Sequence, residues 1–173
     1  MRSYFTINVL VGLFMLLNPF LLKGQASVRS TANAEVIEAL RASEIATLSF
    51  GRFFPETAGG EIRISPLGVR TSSGTVSLSG GQYNPASFQL AGQSDATISV
   101  VLPVGSVLLT NLATGKTMEV FNFEVNNVTN VGTGVLTKGA LILSMGATLK
   151  VGTVADNPVG QYSGSYVITF SYN

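Results

Sequence analysis

The sequence predicts an all-β protein, an antiparallel β-sandwich that follows an apolar leader. Three observations carry this. Apolar and polar residues alternate in many short stretches, the spacing at which side chains of a strand share a face. Gly and Pro punctuate those stretches about every 8–12 residues, as turns between short antiparallel strands do. Charged side chains make up only 11% of the chain while Gly alone supplies 19 residues, which suits tight turns better than solvated helices.

The leader comes first. Residues 4–17 are mostly apolar, and the run resumes to Leu22 after a break at Asn18-Pro19. It falls short of the roughly 20 residues that span a membrane. A retained N-terminal anchor is therefore the weaker alternative to a cleaved signal. Gly24-x-Ala26 has the small-x-small form that signal peptidase accepts, placing the cut after Ala26. The expected organisation is a signal peptide over residues 1–26, an extension or first strand over residues 27–44, and a sandwich over residues 45–173.

Removing 26 of 173 residues leaves 147, enough for one domain with its own core. Arg2 and Lys23 leave with the signal, so eight basic side chains face nine acidic ones. A net charge near −1 gives no footprint for nucleic acid and no basic patch for an anionic membrane. No stable membrane span is expected after cleavage. Cysteine is absent, and a domain of this size does not need disulfides.

Residues 27–44 read two ways. Val28, Ala32, Ala34 and Val36, with Ser30 among them, alternate with Arg29, Thr31, Asn33 and Glu35, a strand pattern with small inward side chains. Residues 34–43 (AEVIEALRAS) also have high helix propensity, with Val36, Ile37 and Leu40 at helical spacing. Propensity favours a short helix there, and the surrounding strands favour another strand.

From Ile45 the pattern firms. Leu48 and Phe50 flank Ser49, and Pro55 and a Gly59-Gly60 turn precede a strand over residues 61–65. Further strands are expected at residues 75–78, around Phe88 and Leu90, and at residues 96–102 and 107–112. In residues 118–125, Phe121, Phe123 and Val125 share one side and Met118 and Val120 the other, the phenylalanines facing the core. Residues 140–143 and 148–151 make two more strands, and residues 156–160 turn into the last. That last stretch alternates most regularly: Tyr162, Gly164, Tyr166, Ile168, Phe170 and Tyr172 against Ser163, Ser165, Val167, Thr169 and Ser171.

Little here points to chemistry. Histidine and cysteine are both absent, which removes the usual general base, the common catalytic dyads and soft metal ligands. Glu119 and Glu124 lie five apart, so on a straight strand they face opposite sides and cannot form a glycosidase pair. Asp156-Asn157 offers too few oxygens for calcium and reads as a turn. Neither Gly59-Gly60 nor Gly80-Gly81 opens a helix, so neither cradles a phosphate. Asn127-Val128-Thr129 matches a glycosylation acceptor pattern. Neither catalysis nor any cofactor or metal is expected.

Several phrases recur in the order of one family: Leu48-Ser-Phe-Gly51, Ile64-Ser-Pro66 with Gly68 and Arg70-Thr71, and Val76-Ser-Leu78-Ser-Gly80. Pro85-Ala-Ser-Phe88, residues 98–103, Met145-Gly-Ala-Thr-Leu149 and residues 160–173 continue the series. The sequence from Val36 onward resembles the secreted bacterial family called domain of unknown function 4402. That resemblance implies an all-β, immunoglobulin-like domain exported by Gram-negative bacteria, with no enzymatic role assigned.

A weaker similarity is to chaperone–usher pilins and spore-coat U type subunits. They end in an alternating strand with a penultimate tyrosine and a glycine fourteen places from the end, as Tyr172 and Gly160 stand here. Many pilins carry a disulfide near their first strand, and this chain has none. The pilin similarity implies like or related subunits joined by β-strand addition, with a periplasmic chaperone as a further partner.

Two functions follow as expectations. The first is a secreted, non-catalytic structural or adhesive surface protein, a fimbrium-like subunit assembled by strand exchange. Its interface would use Val28, Ala32, Ala34 and Val36 as the inserted face. Gly160, Tyr162, Tyr166, Ile168, Phe170 and Tyr172 would form the wall that receives them. The second is a self-contained monomeric sandwich that binds glycan or a surface protein through loops around Tyr83 and residues 126–134. Either would travel through the periplasm to the cell surface. N-terminal sequencing of exported protein should begin at Ser27; a start at Met1 would mean that the apolar segment is retained.

Overall fold

A computed structural model describes residues 24–128 and 132–173, so most of the leader lies outside the described residues. The chain divides into residues 1–35 and residues 36–173. In the first unit, residues 24–35 carry no strand and are exposed throughout. The second unit holds ten strands and, among the described residues, no helix. They are β1 (Arg41–Ala46), β2 (Arg52–Ile64), β3 (Arg70–Ser79), β4 (Ala86–Ala91), β5 (Thr97–Val101), β6 (Val107–Thr110), β7 (Thr117–Val125), β8 (Thr133–Val135), β9 (Ala140–Val151) and β10 (Thr169–Tyr172). Every ladder between them is antiparallel, and the all-β expectation holds.

The organising strand is β9. Its residues 140–145 pair with β4, and its residues 147–151 pair with β2 further along the same edge. The other edge is held by β7. The odd-numbered side chains Leu143, Met145, Ala147, Leu149 and Val151 all point inward and are buried. The first two join a core with Phe88 and Leu90 of β4 and Ile98 and Val100 of β5. The other three join a second core with Ile62 and Ile64 of β2, Val76 of β3, and Met118 and Val120 of β7. A three-stranded sheet, β10-β5-β8, covers the first core, while seven strands form the large sheet.

Three bulges break simple strand alternation, one of them in β1 between Glu44 and Ala46. Between Phe121 and Glu124 the β7 register shifts, with Asn122 at φ 49°. The extra residue reverses which side chains face inward. Met118 and Val120 are therefore buried ahead of the bulge, and Phe123 packs against both cores beyond it. The expected single core face of Phe121, Phe123 and Val125 does not form. Phe121 and Phe123 are half-buried, as are Ile168 and Phe170.

The third bulge lies in β2, between Pro55 and Gly59. Gly59-Gly60 was expected to turn the chain and instead continues the strand. Gly59 takes φ 73°, which a residue with a side chain rarely adopts, and so absorbs the irregularity within the ladder. Pro55 is tolerated because β9 pairs only with Gly60–Ile64, leaving one edge of β2 free at the proline.

Three other expectations are corrected. Residues 140–143 and 148–151 belong to one strand rather than two. Residues 34–43 form no helix: the chain is irregular to Leu40, and strand pairing with β4 starts at Arg41. Ladder formation beside Leu90 and Phe88 outweighs the modest helix preference of the isolated stretch. The final alternating stretch is a ladder only over Thr169–Tyr172, where it pairs with β5. Earlier it makes one bridge, Ser163 with Thr110 of β6. It changes partner because β6 and β5 belong to different sheets.

Gly146 marks the point where β9 exchanges β4 for β2. A Cβ there would collide with the Ile64 carbonyl oxygen and lie 2.7 Å from the Ser65 carbonyl carbon. These are backbone atoms and cannot rotate away. Gly146→Ala should lower unfolding free energy by about 3 kcal/mol in urea denaturation. An unchanged midpoint would refute the close approach.

Candidate strand-acceptor edge

The site is built from the two strands that end the sheets on one rim, β1 and β10. Each has one partner only, β4 and β5 respectively. Opposed residues of an antiparallel pair share a face. Ala42 lies opposite Leu90, and Glu44 opposite Phe88. Leu90 and Phe88 are buried, so Ala42 and Glu44 stand on the core side of their sheet. Both are nevertheless exposed. The core face of β1 is thus left uncovered at this rim.

The facing wall is the C-terminal stretch. Tyr166, Ile168, Phe170 and Tyr172 are half-buried, and Ser165, Val167, Thr169 and Ser171 between them are exposed. The Phe170 ring lies 5.8 Å from that of Phe88, and the Tyr166 ring 5.7 Å from that of Phe123. These tilted contacts seat the stretch over β4 and β7. Gly164, the exposed member of the series, lies against the backbone of Leu108 in β6, where a Cβ would collide with the carbonyl oxygen. Tyr162 packs on the other core and donates its hydroxyl to the Pro158 carbonyl at 2.8 Å. Gly160 touches the buried Asn111 side chain, which leaves no room for a Cβ.

Two tyrosines treat their hydroxyls differently. Tyr172 accepts from the Gln93 amide at 2.8 Å and donates to the Glu38 carbonyl at 2.8 Å, which ties the two walls at one end. Tyr166, near the other end, has a buried hydroxyl oxygen without a hydrogen-bond partner. Its pKa is pushed from 10.0 to about 12, first by burial and second by the charge of Glu44. Glu44 and the buried Tyr166 hydroxyl are polar groups on a rim lined also by Leu40, Ala42, Ile168 and Phe170.

The proposed inserted residues stand apart from any ladder. Val28 is 90% exposed and Val36 is 97% exposed, with Ala32 and Ala34 likewise exposed. The core-facing residues of β1 were not singled out from the sequence. The alternation of Leu40, Ala42 and Glu44 was the available signal, masked by helix-favouring composition.

The other candidates are occupied by local contacts. Tyr83 is 45% exposed, with the Arg70 guanidinium 5.2 Å from its ring centroid. The bulge at Asn122 puts Glu119 and Glu124 on the same outer face, against the straight-strand expectation. There Glu124 accepts from Arg63 at 2.8 Å, and Glu119 lies 3.9 Å from Lys150. Asp156 accepts from the backbone and hydroxyl of Thr153 and closes a turn. Asn127 donates its side-chain amide to the Ile142 carbonyl. Among the described residues no three carboxylates gather as a metal site, and no helix is long and apolar enough to cross a membrane.

The family model described as Domain of unknown function (DUF4402) matches residues 40–172. The chain belongs to that family. The DUF4402 match starts at Leu40 and takes in all ten strands, including both walls of the open rim. No match to a curated protein or to a solved structure accompanies it.

The raised pKa of Tyr166 in this DUF4402 domain has a direct readout. The folded chain holds the phenolic proton to higher pH than the unfolded chain does. Stability from this group is therefore level below pH 10 and declines between pH 10 and about 12. Ultraviolet titration should show one tyrosine ionising near 12, and Tyr166→Phe should remove that component. A wild-type titration complete well below 12 would contradict the burial.

Proposed function

We propose that this domain is a non-catalytic structural subunit of a bacterial surface assembly, joined to like subunits by β-strand addition at the open rim between β1 and β10. The observation that carries the proposal is that Ala42 and Glu44 lie on the core face of an edge strand and are exposed. A strand laid along the free edge of β10 would cover them, giving main-chain pairing for affinity and side-chain pockets for register. Left open, such an edge is a site of association.

The donor in this reading is the segment over residues 27–36 of another copy, with Val28, Ala32, Ala34 and Val36 inward. Its side chains are small, which suits a wall already filled by Phe170, Tyr166 and Tyr172. The two facing sheets support an immunoglobulin-like, pilin-like sandwich that lacks one strand at this rim. The apolar leader supports export, with the mature chain passing the periplasm to the cell surface, where a chaperone would protect the open rim.

The test is association of the mature chain. Sedimentation velocity should show concentration-dependent oligomers for a chain starting at Ser27. Deleting residues 27–35 should abolish them while leaving the circular dichroism spectrum unchanged, and a peptide of residues 27–36 should then bind the shortened chain. If deletion leaves association intact, the N-terminal segment is not the donor. If the mature chain stays monomeric and the peptide does not bind, a self-contained domain that recognises its ligand through loops is the better account.

A further inference from the structure

We propose that Glu44 sets the register of the added strand by accepting a hydrogen bond from Ser30 of a second copy. This rests on the strand-addition reading above and specifies how that site chooses among alignments. A strand can be added to an edge at several registers two residues apart, each keeping the same side chains inward. Apolar contacts along Ile168 and Phe170 discriminate weakly between such alignments, because Ala32 and Ala34 are interchangeable in size. Something else must fix the position.

Of the two residues that β1 leaves exposed on its core side, Ala42 and Glu44, only Glu44 is charged, and it stands opposite Phe88. At the other end Tyr172 is already satisfied by Gln93 and Glu38 and makes no demand on a newcomer. Covering the rim would take Glu44 out of water. A buried carboxylate without a donor is strongly unfavourable, so an alignment that supplies one is selected over those that do not.

The inserted face supplies one hydroxyl. Of Val28, Ser30, Ala32, Ala34 and Val36, only Ser30 has a polar side chain, and its O–H can donate to a carboxylate. Shifting by two residues in either direction places Val28 or Ala32 over Glu44 and leaves the charge unpaired. Only the alignment with Ser30 over Glu44 satisfies both strands. Arg29, the basic residue of the segment, falls on the outward side and does not compete.

A simpler role for Glu44 is that of a guard. An inward-pointing charge on an edge strand discourages indiscriminate pairing. The two roles differ in what they predict. A guard acts against every incoming strand, so removing it strengthens association whatever residue occupies position 30. A register residue acts through Ser30.

The experiment is a double-mutant cycle on the association constant of the mature chain, by sedimentation equilibrium, with Ser30→Ala, Glu44→Ala and both together. Ser30 lies in a segment without strand structure in the single chain, and Glu44 lies on an exposed edge, so neither substitution removes core packing. In the Glu44 background, Ser30→Ala should weaken association about ten-fold, as loss of a hydrogen bond to a charged group does. In the Glu44→Ala background the same substitution should have no effect. Equal losses in both backgrounds, or stronger association on removing Glu44 regardless of Ser30, would overturn the register assignment. Ala32→Asp separates this from failure of the wider reading. If it abolishes association while the cycle shows no coupling, strand addition stands and the register is wrong. If it leaves association unchanged, strand addition fails and the register assignment fails with it.

Discussion

The fold depends on β9 keeping one unbroken inward face while changing its neighbour. Leu143 and Met145 belong to one core and Ala147, Leu149 and Val151 to the other, yet all five lie on the same side of one strand. The 12-residue strand does this because β4 and then β2 pair in succession along one of its edges, and Gly146 provides the gap where they meet. The continuous backbone makes the two cores one cooperative structure.

What was legible in the sequence was period, and what was not was parity and partner. Thr97–Val101 was read to within a residue, and Ala86–Ala91 was located around Phe88 and Leu90, because each is short, alternates cleanly and ends in Gly or Pro. β7 was located correctly, but its inward face was assigned correctly only beyond the bulge, at Phe123 and Val125. A bulge inverts alternation, and nothing in Phe121-Asn122-Phe123 distinguishes a bulged asparagine from a paired one. The same inversion brought Glu119 and Glu124 to one face. Gly59-Gly60 and Gly146 show the converse difficulty: glycine signals a turn and a close backbone approach alike, and only the neighbouring strand decides which.

The candidate site was half visible. The alternation from Tyr162 to Tyr172 announced one wall, and its aromatic side is turned inward as that pattern requires. The opposite wall was hidden, because residues 34–43 favour a helix in isolation, and only from Arg41 onward does contact with β4 draw the chain into a strand. Glu44 illustrates the limit. As one of nine carboxylates it is unremarkable, and it gains meaning only from standing opposite Phe88. Pairing across a sheet, not the residue itself, makes it part of a site.

The tie between Tyr172 and Glu38 joins residues 134 positions apart. Phe170 meets Phe88 across a shorter but still long loop of chain. Such contacts form only after the intervening strands have found their places, and closing so long a loop is entropically unfavourable until then. Closure of the rim therefore depends on the other strands being in place. Before closure, Ile98, Val100 and Phe88 have no β10 over them, and the chain exposes a broad apolar surface. A polypeptide dominated by such contacts folds more slowly than a helical protein of equal length, so its apolar strands stay uncovered for longer.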